Sequence, residues 1–113
     1  MPVADEFRPE IVFVSAGFDP HQMDPLGGMR LTENGFGALA GLVKDIADRH
    51  AGGRIVAALE GGYRLESLSE SVVSVLRAFQ GEVPDVMPLK DAPLTRRIEE
   101  VRSVQKAYWR SLA

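Results

Sequence analysis

Two loop stretches in this sequence carry residue types that could take part in chemistry. The first, SAGFDPHQMDPLGG, holds two acids, Asp19 and Asp24, among prolines and glycines. The second, Glu60-Gly61-Gly62-Tyr63, combines flexible backbone with a phenol. A carboxylate in such a loop can ligate a hard or borderline cation, and a phenol can donate a hydrogen bond in catalysis. These two stretches therefore contain the candidate site residues.

Asp24 allows two interpretations. It could ligate a metal ion, or Asp24-Pro25 could form a turn in which the carboxylate accepts backbone N–H bonds. For Asp19, a structural role is the favoured interpretation: its carboxylate would organise the loop rather than ligate a metal ion. Asp19-Pro20-His21 has the D-x-H form found in zinc sites, but a three-residue match that contains proline is weak. A solvated turn histidine is the favoured interpretation of His21.

Gly61 and Gly62 also have more than one interpretation. Two glycines let a ligand approach the main chain closely, and they could cradle a phosphate at the N-terminus of the following helix. Neither G-x-G-x-x-G nor G-x-x-x-x-G-K-[ST] occurs in the sequence, so a nucleotide site has little support. Tyr63 is either a hydrogen-bond donor in catalysis or a side chain that packs across the loop.

The elements that must position these loops are two strands and the helices after them. The apolar runs Ile11–Val14 and Ile55–Leu59 predict strands buried on both faces, as in a parallel sheet. Thr32 is the expected N-cap of the first helix. The apolar stripe of that helix is Phe36, Leu39, Ala40, Val43, Ile46 and Ala47. The repeated order strand, loop, helix predicts an α/β fold, a partial parallel sheet with covering helices, and places both loops at the same sheet edge.

Two further helices are predicted after the second loop. The first carries an apolar face from Leu65 to Phe79, and the second extends from Leu94 to Leu112. A proline-containing connector, Gly81 to Pro93, joins them. His50 ends the helix after the first loop, where a basic group pairs favourably with the helix C-terminus.

Composition and charge limit the function further. A chain of 113 residues forms at most one small domain. The formal net charge is −3 and there is no long basic run, so nucleic acid is not an expected partner. Cysteine is absent, which excludes disulfides and thiolate metal sites. No apolar run approaches the ~20 residues that span a bilayer. The N-terminus lacks the pattern of a signal peptide, so we expect no membrane partner and a cytoplasmic location.

Taken together, the two stretches change the interpretation. SAGFDPHQMDPLGG, followed later by LEGGYRLESLSESV, resembles the C-terminal part of the zinc-dependent histone deacetylase superfamily. The resemblance is closest to the class II-like branch, which includes bacterial acetylpolyamine amidohydrolases. It implies the α/β fold shared with arginases, in which loops at strand ends hold one catalytic zinc. Residues 1–83 would be the C-terminal portion of that domain, and residues 84–113 its connector and C-terminal helix.

By motif position, the resemblance implies roles for individual residues. Asp24 matches the last zinc ligand of the family. Tyr63 matches the tyrosine that hydrogen-bonds the substrate carbonyl and its developing oxyanion. Gly61 and Gly62 match the glycine loop beside the substrate channel. Asp19 matches a structural acid.

The match lacks other parts of the family's active site. The family's paired general-base histidines and its D-x-H zinc ligands precede the matched region, and the only histidines here are His21 and His50. Catalytic zinc usually has three protein ligands and an open position. The resemblance therefore predicts a fragment of a zinc-dependent deacetylase acting on acetyl-lysine or acetylpolyamine, inactive alone and completed by its missing N-terminal part or an oligomer partner. Two alternatives remain, a stand-alone non-catalytic α/β module and a phosphate-ligand site at Gly61-Gly62.

Overall fold

The computed structural model describes residues 1–86 and 92–113. Two successive strand–helix units form the centre of the described part of the chain. In order, the elements within these residues are α1 (Pro2–Phe7), β1 (Val12–Ala16), α2 (Glu33–His50), β2 (Ile55–Leu59), α3 (Leu65–Phe79), α4 (Ala92–Gln105) and a 3₁₀ helix (Arg110–Leu112). This order confirms the predicted α/β fold.

β1 and β2 pair as parallel strands over their whole length. Val12 lies opposite Ile55, and Ala16 lies opposite Leu59. The ladder continues past the strands, because the Glu60 N–H donates to the Ala16 carbonyl at 3.0 Å. The loops that follow the two strands therefore leave the sheet side by side.

Helix α2 begins where the sequence predicts. The Thr32 hydroxyl accepts the Gly35 N–H at 3.2 Å and so caps the helix. Small residues let α2 and α3 approach each other closely, since a Cβ added to Gly37 would clash with the Ser74 hydroxyl. The buried apolar residues of the described chain are Phe18, Phe36, Ala40, Ala47, Ala51 and Ala78. Four of these six are alanines, so this core combines close backbone approach with the two phenylalanine rings.

Within the described residues, helices cover only one face of the sheet. On that face Val14 and Ala57 line an apolar cavity of about 240 Å³, together with side chains of α2 and α3. On the opposite face Phe13 is 72% exposed, and Val56, its partner across the ladder, is 47% exposed. Leu39, predicted for the buried stripe of α2, is also half exposed. The prediction that both strands are buried on both faces is therefore wrong for the described residues, because helices pack on one face only.

The C-terminal helix is shorter than predicted. α4 ends at Gln105 rather than Leu112, and Trp109 is extended before the 3₁₀ helix begins. The first two N–H groups of the 3₁₀ helix donate to the Glu6 carboxylate at 3.2 and 2.8 Å. Phe7 adds an edge-to-face contact with Trp109, with ring centroids 6.3 Å apart. The C-terminus is therefore docked on α1.

Part of the predicted connector cannot be compared with the structure. The segment Gly81 to Pro93 includes residues 87–91, which lie outside the described residues. Among the helices that are described, none combines the length and apolarity needed to cross a bilayer.

Asp5 ties α1 to the last turn of α2. Its carboxylate lies 2.7 Å from Arg49 Nη1, 2.9 Å from His50 Nε2 and 2.9 Å from the terminal ammonium of Met1. These contacts lower the pKa of Asp5 to about 2, with the His50 hydrogen bond as the largest cause and the ammonium hydrogen bond next. His50 thus lies at the end of α2, as expected, and reaches across to another helix.

The Asp5 cluster predicts a loss of α1 contacts in acid. The ordinary pKa of this carboxyl is 3.8 and its folded value is about 2. Its contribution to stability is therefore present above about pH 4 and disappears as the pH falls toward 2. Carboxyl ¹³C shifts measure the titration directly, and Asp5→Asn should remove this part of the pH dependence of unfolding. An Asp5 midpoint near 3.8 would contradict the cluster.

The bare sheet face predicts self-association or loose packing of the chain on its own. Exposed apolar strands are templates for pairing with other chains. We expect Phe13→Lys to reduce the mass measured by size exclusion with light scattering. Tyr108→Lys is the matched control, because Tyr108 is 76% exposed and lies away from the sheet. A monodisperse unmodified monomer with strongly protected β1 and β2 amides would indicate a self-sufficient domain.

Candidate active site at the strand ends

The loop after β1 and the loop after β2 are held together by backbone contacts. The Phe18 N–H donates to the Gly61 carbonyl at 2.7 Å. Phe18 itself is buried and packs on Phe36 of α2, with ring centroids 5.0 Å apart. The chain thus places both sequence-predicted stretches at one edge of the sheet, which is where a parallel sheet binds ligands.

Asp24 joins the two loops with its carboxylate. Oδ1 accepts the N–H groups of Leu26 at 2.8 Å and Gly27 at 3.1 Å, which forms the turn predicted as one interpretation. Oδ2 accepts the Tyr63 N–H at 2.8 Å, across 39 sequence positions. A carboxylate offers about four lone-pair sites. Three are used here, so one site on Oδ2 remains for another partner.

The environment of Asp24 keeps its carboxyl group ionised. Burial is the largest influence and raises its pKa. The hydrogen bonds from the N–H groups of Tyr63, Leu26 and Gly27, with a smaller electrostatic contribution from His21, lower the pKa and outweigh the burial, so the net pKa is below its usual value. The ionised form accepts all three N–H groups and is also the form that can ligate a cation.

Asp19 fills the space between the loops. A Cβ added to Gly61 would clash with the Asp19 carboxylate, whose Cγ would be 2.9 Å away. A Cβ added to Gly27 would overlap the Asp19 carbonyl group. Gly27 in the first loop and Gly61 in the second are therefore both needed, because each lets its backbone lie directly against Asp19.

His21 is buried, so the predicted solvated turn histidine is wrong. It is 4% exposed, and its Nδ1 accepts the Met23 N–H at 3.1 Å. Its Nε2 lies 3.4 Å from Glu33 Oε2, and its ring lies parallel to that of Phe36. Glu33 and Phe36 belong to helix α2, so the burial of His21 depends on residues outside the motif Asp19-Pro20-His21 and could not be predicted from it.

Tyr63 and the two glycines before it form the second side of the site. Tyr63 is 59% exposed, so much of its side chain is open to a ligand. Gly62 has a φ of +137°, and a Cβ there would lie 2.9 Å from Leu68 Cδ1 and 3.2 Å from Phe18 Cβ. Glycine is favoured here for two reasons: the positive φ strains other residues, and a side chain would collide with Leu68 and Phe18. The conformation of Gly62 turns the peptide that carries the Tyr63 N–H toward Asp24.

The same contacts count against a phosphate at this loop. The Tyr63 N–H, which an anion would need, already donates to Asp24. Asp19 also lies against Gly61, so a phosphate would meet its negative charge.

The described residues provide one element of a metal site. No group of three or more His, Cys, Asp and Glu residues in residues 1–86 and 92–113 is arranged to hold a metal ion. Asp24 is ionised and has one lone-pair site left on Oδ2, so it fits a single ligand position. A zinc ion would need its other ligands from outside these residues.

The family is shown by comparison with known proteins. The family model for the histone deacetylase domain matches residues 1–79. The chain belongs to the histone deacetylase family. The resemblance seen in the two loop stretches is thereby confirmed.

Members of the histone deacetylase family with similar sequences come from plants and animals. The chain is 44% identical over 106 residues to "Histone deacetylase 10, chloroplastic" of Oryza sativa subsp. japonica, covering 94% of this chain and 24% of that protein. It is 44% identical over 116 residues to "Polyamine deacetylase HDAC10" of Mus musculus, and this match covers 99% of this chain and 17% of that protein. The crystal structure of the HDA15 HD domain matches with a TM-score of 0.81 and 32% identity, over 99% of this chain and 29% of that one. The chain thus spans about a quarter or less of the curated relatives.

Gly27 provides a test of this loop geometry. Gly27→Ala should move the Asp19–Asp24 loop and cost about 1–3 kcal/mol of stability, because the new methyl group overlaps backbone that cannot move aside. Gly28→Ala is the matched control. Its φ is +63° and its Cβ would meet nothing within 4 Å, so it should cost about 1 kcal/mol and leave the loop in place. Amide shifts of Leu26 and Tyr63 that move equally in both variants would argue against the close contact.

Proposed function

We propose that this chain supplies the C-terminal part of a zinc-dependent deacetylase that hydrolyses acetylated amines, and that it is inactive alone. The observation that carries the proposal is the 2.8 Å hydrogen bond between Asp24 Oδ2 and the Tyr63 N–H. It brings the expected metal ligand and the expected oxyanion donor to one junction of two loops. The names of the rice and mouse relatives support acetyl-lysine and acetylpolyamine as the two candidate substrates.

Each site residue has a distinct task in this proposal. Asp24 would hold the zinc ion through the lone pair left on Oδ2. When bound, zinc polarises an amide carbonyl and lowers the pKa of water. The Tyr63 phenol would donate a hydrogen bond to the oxygen on which negative charge develops, and such donors contribute about 3 kcal/mol to lowering the barrier. Gly61 and Gly62 would line the approach of the substrate.

The general base would come from outside this chain. His21 is buried, and its Nδ1 is already an acceptor for a backbone N–H. His50 lies at the far end of α2 and contacts Asp5. In this proposal neither histidine is the base for the water that would attack a substrate at Tyr63.

The proposed completing partner is the preceding part of a deacetylase domain, or an oligomer partner that supplies the same elements. The exposed sheet face at Phe13 and Val56 supports this choice. Parallel sheets in α/β proteins are covered on both faces, and the described residues cover one. A stand-alone non-catalytic module is the competing proposal, and it would have to be stable with this sheet face exposed to solvent.

Complementation tests the proposed function. The chain alone, supplied with Zn²⁺, should release no acetate from an acetyl-lysine peptide or an acetylpolyamine. Co-expression with the part of a class II-like deacetylase domain that precedes this match should give a complex that does. Acetate release by the chain alone would show that the missing groups are not needed. A stable complex that holds zinc but lacks activity on both substrates would refute the proposed reaction.

Tyr63→Phe in the active complex should lower kcat by about 10²–10³-fold while zinc content stays unchanged. The phenol bond strengthens as charge develops, so the loss should fall on the chemical step. Tyr108→Phe is the control, since Tyr108 is exposed and outside the site. An effect on KM alone would mean that Tyr63 only lines the site. Asp24→Ala should remove the zinc, and unchanged metal stoichiometry would remove Asp24 from the ligand set.

A further inference from the structure

We infer that Asp24 is also a positioning residue for Tyr63, and that it acts through the backbone of the tyrosine loop, Gly61–Tyr63. The inference rests on the proposed function for what Tyr63 does in catalysis. What holds Tyr63 in place is a property of this chain and can be measured without any metal or substrate.

The tyrosine loop has few attachments of its own. It lies between the end of β2 at Leu59 and the start of α3 at Leu65, and it has no regular structure. The residue that precedes α3, Arg64, makes no side-chain cap. Two hydrogen bonds tie the loop to the loop after β1. The Gly61 carbonyl accepts from Phe18, and the Tyr63 N–H donates to Asp24.

The bond to Asp24 is the stronger of these two attachments. An N–H that donates to a carboxylate makes a charge-assisted hydrogen bond, and such bonds are about twice as strong as neutral ones. It also lies at the residue whose side chain has to be placed. A shift of the Tyr63 N–H moves the Tyr63 Cα, and with it the phenol.

The two carboxylate oxygens of Asp24 accept hydrogen bonds from different loops. Oδ1 serves its own turn through Leu26 and Gly27, and Oδ2 serves Tyr63. An asparagine at this position can keep one of these links but not both, because its amide nitrogen cannot accept a hydrogen bond. Asparagine favours the local turn, so the link to Tyr63 is the one expected to be lost.

The remaining lone pair on Asp24 Oδ2 could link cation binding to the position of Tyr63. A cation bound there would share one oxygen atom with the Tyr63 N–H. Binding of that cation and the position of Tyr63 would then be linked, and the linkage would act in both directions.

The first test uses the 113-residue chain itself. Asp24→Asn should speed hydrogen exchange at the Tyr63 amide by about tenfold or more, with smaller changes at Leu26 and Gly27. Glu66→Gln is the matched control. This substitution removes a carboxylate that lies three positions from Tyr63 and is paired with Arg64. That carboxylate does not accept the Tyr63 N–H, which donates to Asp24. Equal exchange at Tyr63 in both variants, or an unprotected Tyr63 amide in the unmodified chain, would overturn the inference.

The second test leaves Asp24 intact and moves the peptide that donates to it. Gly62→Ala should disturb the Tyr63 N–H, because Gly62 has a φ of +137° and a Cβ there meets Leu68 and Phe18. Gly81→Ala is the control for backbone strain, since Gly81 has a φ of +102° and open space around it. Both variants are compared in the complemented enzyme.

Positioning predicts a specific pattern in that comparison. At saturating Zn²⁺, where occupancy no longer depends on affinity, Gly62→Ala should lower kcat at least tenfold, with zinc content unchanged and a shifted Tyr63 amide resonance. Gly81→Ala should leave all three unchanged. Full kcat in Gly62→Ala together with a displaced Tyr63 amide would disprove the positioning role. If the complex never acquires activity, the proposed function fails, and the exchange comparison in the isolated chain still decides what holds Tyr63.

Discussion

The carboxylate of Asp24 is the interaction on which the site depends. Parallel pairing of β1 and β2 brings two loops to the same edge, but residues 61–63 lie beyond the last ladder bond and have no regular structure. A single ionised side chain connects the two loops by accepting N–H groups from both. Its low pKa follows from the same hydrogen bonds, so the charge and the geometry have one origin.

The rest of the chain shows how incomplete packing and local order can coexist. The site loops have buried contacts, through Phe18 and His21 against Phe36, although one face of the neighbouring sheet is bare. At the other end of the chain, Glu6 holds the 3₁₀ helix and Asp5 holds the end of α2. These clusters are polar and exposed, so they order the termini without adding to the apolar core.

Much of this arrangement could be predicted from local pattern. The two apolar runs, the Thr32 cap and the repeat of strand, loop and helix each depend on neighbours within a few positions, and each was found in the structure. The two motifs were enough to identify the family, and the family model confirms it. The Asp24 turn is one of the two interpretations that the sequence supports, and its hydrogen bonds leave one lone pair of the carboxylate for ligation.

What could not be predicted depends on contacts between distant residues. The burial of His21 comes from Glu33 and Phe36, and no short motif records it. The 3₁₀ helix after α4 is held by Glu6, 104 positions before Arg110, and no local pattern in the C-terminal segment indicates that contact. The bond from Tyr63 to Asp24 has the same character, because its donor is a backbone group that leaves no trace in residue type.

That last property has a consequence for how this site can vary. The link from Asp24 reaches residue 63 through its N–H, which every amino acid except proline possesses. The fold of the two loops therefore makes almost no demand on the side chain at this position. If Tyr63 has the role proposed above, chemistry and architecture are separable here: replacing the phenol would alter what the site does to a bound molecule while the loops that present it stay assembled. A family built on this junction could change its reactivity at one residue without rebuilding the surrounding backbone.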